Sequence, residues 1–251
     1  MTETHKIETP ACKRNGERED PIWQRFRFPI VLLTSVLLVV VQPLTQHMVT
    51  DNRLFELLCS ALILAVMLIV IPQRKQRWYA VSMGLMAILV MVSSHLCEDP
   101  LSRRLLISAH LLAAGFFAIA LYGIVGSILL FRTRHSAGLS AVCGYLLLGI
   151  IWMMLYTAVE LASPGSFRIP AQDAGELNSA RSVRSMLGYF SFITLATVGY
   201  GDVTPVTPLS RTLAWLEAVA GQFYLGVLVA GLVGYKVTQA LERVKSGADS
   251  D

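Results

Sequence analysis

Six long apolar runs, separated by short polar and basic stretches, set the pattern of this chain: residues 29–50, 54–71, 78–97, 105–131, 139–162 and 208–236. Each is close to the ~20 residues that a helix needs to cross ~30 Å of hydrocarbon. Six spanning helices are therefore predicted, and the fold class is an all-α membrane protein. The pattern changes between the fifth and sixth runs. Residues 163–184 are polar and turn-rich, and the apolar run that follows, Met186 to Ala196, is too short to span. It is expected to enter and leave on the same side, as a re-entrant helix. Non-helical backbone at membrane depth is tolerated only where protein buries it or it lines a watery cavity, so this segment hints at a pore. Residues 1–28 lack any apolar period and read as a tail. The first run follows a basic stretch, as a signal peptide would, but it meets no small-residue cleavage site before Gln42 and Pro43 and is read as retained.

Composition agrees with that pattern. Of 251 residues 54% are hydrophobic and 15% charged, and the mean hydropathy is +0.57, well above that of a soluble globular domain. The 21 Lys and Arg lie between the apolar runs rather than in one stripe, so the net charge of +4 reports orientation and not a nucleic-acid partner. Fourteen basic residues fall on the side of the tail, against seven (Arg53, Arg103, Arg104, Arg168, Arg181, Arg184 and Arg211) on the other. Both termini are thus expected in the cytoplasm, with the re-entrant segment opening outward. Cys12, Cys59, Cys97 and Cys143 have no CxxC spacing, so neither a zinc site nor a disulfide framework is indicated.

The chemistry lies in TLATVGYGD, Thr194 to Asp202. A monovalent cation leaving water must exchange its hydration shell for equally good oxygens, and a narrow stack of inward backbone carbonyls supplies them. Turning successive carbonyls of one strand toward a shared axis requires ordinary and left-handed torsions in alternation, which glycine tolerates. Gly199 and Gly201 meet that need. Val198 and Tyr200 then point away and pack behind the path, while the Thr197 hydroxyl adds an oxygen at the inner end. One chain lines only one side of such a path, so a closed homotetramer is expected. The re-entrant helix would aim its C-terminus, the negative end of its dipole, at the membrane centre.

Residues 140–240 resemble the pore module of the potassium channel superfamily. The resemblance implies a passive potassium channel, not an enzyme, with K+ as permeant ion at Thr197, Val198, Gly199 and Tyr200 and no other cofactor. It implies that Tyr189 and Phe190 brace the filter, that Asp202 is the acidic position just outside it, and that Pro205, Thr207 and Arg211 lead into the inner helix. Gly221, 22 residues after Gly199, matches the family's inner-helix gating hinge. Glu160, before Ser163, Pro164 and Gly165, looks like the outer-helix acid that anchors the loop after the filter; an interfacial carboxylate in water is the other reading. The first half lacks the family's voltage sensor. Only Arg103 and Arg104 mark its fourth span, adjacent and at the outer end, whereas steep voltage gating needs three or four charges per subunit. The plan is similar to that of prokaryotic six-span channels, which implies a bacterial inner membrane. The expected organisation is a tail (1–28), a four-helix unit without a charged sensor (29–135), a pore domain (136–240) and a short cytoplasmic tail (241–251). No ligand-sensing domain is expected after the pore.

Other residues leave choices open. Gln222, Leu225, Val229 and Val233 recur at helical spacing and line either a cavity or a neighbouring subunit. Glu217 is an ionisable residue inside an apolar span; it bonds hydroxyls behind the filter, Ser191 or Thr194, or stays wet near the outer surface. His47, His95 and His110 read as interfacial or packing residues rather than proton sensors. Gly115, Gly123 and Gly126 suggest close helix packing. Two competing functions remain, a poorly selective cation pore and an intramembrane enzyme or transporter. For the second, the discriminating feature is a Ser with His, an HExxH zinc site or paired carboxylates at membrane depth, and none is read there between residues 29 and 135.

Overall fold

The computed structural model describes residues 22–45, 53–69, 74–93, 101–129, 137–169 and 180–248. Most of the tail, His47, His95, Cys12, Cys97 and residues 170–179 lie outside the described residues. Among the described residues seven helices and two short strands follow in order: α1 Ile22–Thr45, α2 Arg53–Ile69, α3 Arg74–Ser93, α4 Leu101–Leu129, α5 Ala137–Ala162, β1 Phe167–Arg168, α6 Ala180–Leu195, β2 Thr204–Pro205 and α7 Pro208–Ala248. Among the described residues two helical stretches are long and apolar enough to cross a membrane, Leu101–Gly126 and Gly138–Ala162, with shorter apolar stretches at Phe28–Val40 and Val81–Ser93.

Several helices outrun their apolar runs. α1 begins seven residues before residue 29, α4 begins at Leu101 rather than 105, and α7 continues through residues 241–248, where a tail was expected. A helix satisfies its own backbone whether or not its side chains are apolar, so hydropathy marks the part suited to lipid and not the helix ends.

α4 packs along α5 and against α3, α1 lies on α2 and α5, and α6 sits between α5 and α7. One core fills the space among α1 to α5, with Phe116, Phe117, Leu62, Leu147 and Ile150 fully buried. A second, smaller core holds Tyr156, Phe167, Leu187, Phe190 and Val203. This second core decides where the functional segment sits, because it ties α5 and α6 to the loops on both sides of residues 197–201. The two strands clamp the same region: Phe167 pairs with Pro205 and Arg168 with Thr204, antiparallel. Small residues let α5 close on its neighbours. A Cβ on Gly149 would come within 2.5 Å of the Phe192 ring, and one on Gly144 would collide with the Tyr224 hydroxyl.

Candidate functional site

α6 ends at Leu195 and the chain leaves it through a tight cap. The amide of Thr197 donates to the Thr194 carbonyl at 2.9 Å, and that of Val198 to the Ile193 carbonyl at 2.8 Å. These are the two bonds of a Schellman cap, whose left-handed residue is usually glycine. Here it is Thr197, at φ 57°. Left-handed torsions recur at Gly199 (φ 57°) and Gly201 (φ 79°), so the backbone from 197 to 201 alternates residue by residue. The sequence pointed to the two glycines but not to Thr197, a β-branched residue for which positive φ is an outlier. The cap itself imposes that torsion: ending the helix and starting the alternating strand are one event. Among the described residues Val198 and Tyr200 are 51% and 73% exposed.

The expected supports divide into three groups. At the C-terminal end of the segment, Asp202 accepts the Tyr189 hydroxyl and the Val203 amide, the latter at 2.9 Å. The Tyr189 bond is the chief reason its carboxyl sits below the usual aspartate value, since hydrogen bonds to the charged form favour that form. Phe190 does not share this task. It is buried against Tyr156 and Phe167, with ring centroids 5.3 and 5.5 Å away, and turns toward α5 rather than the strand. Consecutive helical positions point about 100° apart, which separates the two aromatics.

Behind the strand, Glu217 is fully buried and accepts the Tyr156 hydroxyl at Oε2 and the Ser191 hydroxyl at Oε1, the latter at 2.5 Å. Ser191 Oγ also lies 2.9 Å from the Gly149 carbonyl, and its single proton serves one of the two. One carboxyl thus joins α5, α6 and α7 at one point. Of the two readings of Glu217, the structure has the hydroxyl-bonded one, with Ser191 rather than Thr194. Tyr156 was missed, because nothing in its apolar surroundings marks it and its partner is 61 positions away.

Glu160 takes a different partner from the one expected. Its carboxylate accepts the amides of Gly165 at 2.7 Å and Phe167 at 3.1 Å, in the loop before α6 rather than the loop after the strand. It reaches the second loop through β1, which pairs with β2. That loop is also held by Ser166, whose carbonyl accepts the Val206 amide at 2.8 Å and the Ser210 hydroxyl at 2.9 Å. Thr207 caps α7, its hydroxyl accepting the Ser210 amide at 3.2 Å with Pro208 at the first helical position, and Arg211 donates to the Pro205 carbonyl at 3.3 Å.

At the N-terminal end of the segment, a recess of about 390 Å³ opens beside Thr197, lined also by Ala218, Val219, Gln222 and Phe223. Gln222 Nε2 is 3.5 Å from the Thr197 hydroxyl. Leu225 is exposed but outside that lining, and the side chains of Val229 and Val233 lie outside the described residues. α7 runs unbroken through Gly221. A Cβ there would stand 2.5 Å from the Leu195 carbonyl oxygen, so this glycine permits a close crossing of α7 over the end of α6. Among the described residues no group of three or more His, Cys, Asp or Glu could hold a metal ion.

Comparison with known proteins falls on this segment. Residues 183–236 match the family model described as an ion channel, a channel and not an enzyme family. The inward rectifier potassium channel Kirbac3.1 of Paramagnetospirillum magnetotacticum is 36% identical over 36% of this chain and 26% of its own length. The calcium-gated potassium channel TvoK of Thermoplasma volcanium is 44% identical over 22% of this chain and 16% of its own, and the two pore potassium channel c of Oryza sativa subsp. japonica is 29% identical over 34% and 18%. The chain therefore spans about a quarter or less of these relatives' lengths. No solved structure matches it. The segment after α6 and the helices flanking it are the part of this chain that is similar to ion channels.

Proposed function

We propose that this chain is one subunit of a potassium-selective channel, with four copies surrounding one path for K+. The observation that carries the reading is the alternation of left-handed torsions at Thr197, Gly199 and Gly201 directly after the C-terminal end of α6. Alternation turns successive carbonyls to one side of the strand, the arrangement that replaces a hydration shell, and the end of α6 adds the negative pole of its dipole. The coordinating residues in this reading are Thr197, Val198, Gly199, Tyr200 and Gly201. Asp202, Tyr189 and Glu217 hold the strand from outside and behind, Phe190 and Glu160 hold the frame around it, and Gln222 faces the cavity. Gly221 serves as a packing point and leaves the hinge role without geometric support.

In this reading α1 to α5 and α7 span the membrane of the cell, α6 re-enters from outside, and both termini are cytoplasmic. Voltage dependence is weak. Arg103, one of two arginines at the start of α4, donates from Nε to the Leu161 carbonyl at 2.6 Å, near the C-terminal end of α5. A cation serving as a helix-end partner at one face of the membrane is not placed to carry charge across it.

The test is K+ flux from liposomes containing the purified protein. Wild type is expected to pass K+ and to exclude Na+. Gly199→Ala places a Cβ at φ 57° and is expected to lower K+ flux at least about tenfold, the equivalent of ~1.4 kcal/mol on the barrier. Equal Na+ and K+ permeability in the wild type would remove the selectivity from the proposal, and unchanged flux in Gly199→Ala would remove the strand.

A further inference from the structure

α7 is 41 residues long, Pro208–Ala248, and unbroken. At 1.5 Å per residue it measures roughly 60 Å, about twice the hydrocarbon thickness of a bilayer. Its last turns therefore stand outside the lipid. Their composition agrees, since Thr238, Gln239, Glu242, Arg243, Lys245 and Ser246 all fall within residues 237–248. So short a polar stretch is marginal as an isolated helix in water and draws its stability from packing of an apolar face. Such a face is present and uncovered within one chain: Val237 is 53% exposed and Leu241 65%.

The spacing along that face identifies its partner. Val227, Ala230, Gly234, Val237, Leu241 and Val244 follow one another at intervals of three and four in strict alternation. This is the heptad repeat of a coiled coil, in which three residues separate an a position from the next d. Gly234 and Leu241 are therefore a, and Val237 and Val244 are d. Lys236, Glu242, Arg243 and Lys245 take c, b, c and e positions, and none falls on the seam. Val227, Ala230 and Gly234 are exposed as well, and Phe223, on the recess beside Thr197, holds the preceding d position. One seam thus runs from the conducting segment to the polar end of α7. It is filled by knobs from a helix with the same repeat, a period that neither lipid nor water has. Leu at a with Ile at d favours three or four strands over two, and Val237 and Val244 are β-branched as Ile is.

We infer that residues 237–248 of four copies pack side by side as a parallel helical bundle, with Val237, Leu241 and Val244 as its core layers. This packing presupposes the four-chain assembly of the proposed function and gives it a second place where copies hold one another, on the cytoplasmic side. Because α7 is unbroken from its crossing with α6 at Gly221 to Ala248, the bundle also sets how far apart the four inner helices stand.

The full-length protein in liposomes tests it. Leu241→Cys is treated with a bismaleimide that spans the about 8–10 Å between packed helix axes. Linked dimers, trimers and tetramers are expected on a denaturing gel. Gln239→Cys, at the f position opposite the seam, is expected to give no more than the wild type with its own four cysteines. Leu241→Asp gathers four carboxylates on one axis and is expected to lower the temperature at which the chains come apart, whereas Gln239→Asp leaves it unchanged. Equal cross-linking of the two cysteine variants, or equal dissociation temperatures of the two aspartate variants, overturns the bundle. K+ flux and the chain count of the wild type in native mass spectrometry judge the channel reading separately. Four conducting chains without linked Leu241→Cys subunits leave that reading standing and remove the bundle. Linked subunits that pass no K+ support the bundle and remove conduction, and a monomeric wild type removes both.

Discussion

At the scale of single residues, the bond between Tyr189 and Asp202 is the support most open to direct test, because it lies at the solvent-facing end of the strand. It is the main cause holding the Asp202 carboxyl below the ordinary 3.8. A carboxylate depressed in the folded state contributes stability above its unfolded pKa and loses it only as pH falls through the folded value. The end of the segment at Asp202 should therefore be indifferent to pH across the neutral and mildly acidic range. Tyr189→Phe removes the largest lowering influence, and the Asp202 midpoint should rise. Carboxyl-carbon NMR of labelled protein in nanodiscs measures this, and an unmoved midpoint would show that the Tyr189 hydroxyl is not the cause. Legibility at this scale followed the chemistry of each position. Gly199 and Gly201 were readable because few other residues accept their torsions, and Asp202 because of its place beside them. The place of Thr197 was readable but its left-handed torsion was not, since that torsion comes from ending α6 rather than from its side chain. Tyr156 and the true partners of Glu160 depend on which loops lie nearby, which a single sequence does not record.

Among the elements, the crossing of α7 over the end of α6 fixes the depth of the strand, and Gly221 is where the two meet. An added methyl there would press to 2.5 Å on a backbone oxygen, which cannot rotate aside as a side chain can. α7 would have to shift outward, at a cost of about 1–3 kcal/mol, typical of overpacking. Gly221→Ala should therefore lower the thermal midpoint of the purified protein and reduce flux with it. Gly123→Ala on α4, where an added Cβ meets nothing within 4 Å, should do neither. Equal behaviour of the two variants would mean that α7 is free to move at Gly221, reviving the hinge reading. The helices themselves were largely visible as apolar runs, whereas their ends were not. Arg103 and Arg104 lie within α4 and Arg243 and Lys245 within α7, because charge ends a lipid-compatible stretch without ending a helix.

Over the whole molecule, the chain exposes what a membrane subunit with no partners would have to hide. Val198 and Tyr200 stand uncovered on the strand, and Trp215, Val219 and Phe223 on α7 are exposed as well, Phe223 to 70%. Apolar surface gathered around a functional segment marks an interaction face. In the proposed reading a four-chain ring would cover it with copies of itself and bring four such segments around one axis, creating an ion site that no single chain has. An ion bound only by the assembled form stabilises it by mass action, by about 2.7 kcal/mol when its concentration is a hundred times its dissociation constant. The assembly should therefore dissociate at a higher temperature in K+ than in Na+ at equal ionic strength. Gly199→Ala should abolish that difference, since it acts on the strand that holds the ion, while Gly123→Ala should preserve it. Subunit dissociation followed by gel mobility or native mass spectrometry reads both effects. Identical midpoints in the two salts for the wild type would mean that residues 197–201 bind no ion jointly, and the exposed face would then need a different partner from a second copy of the chain.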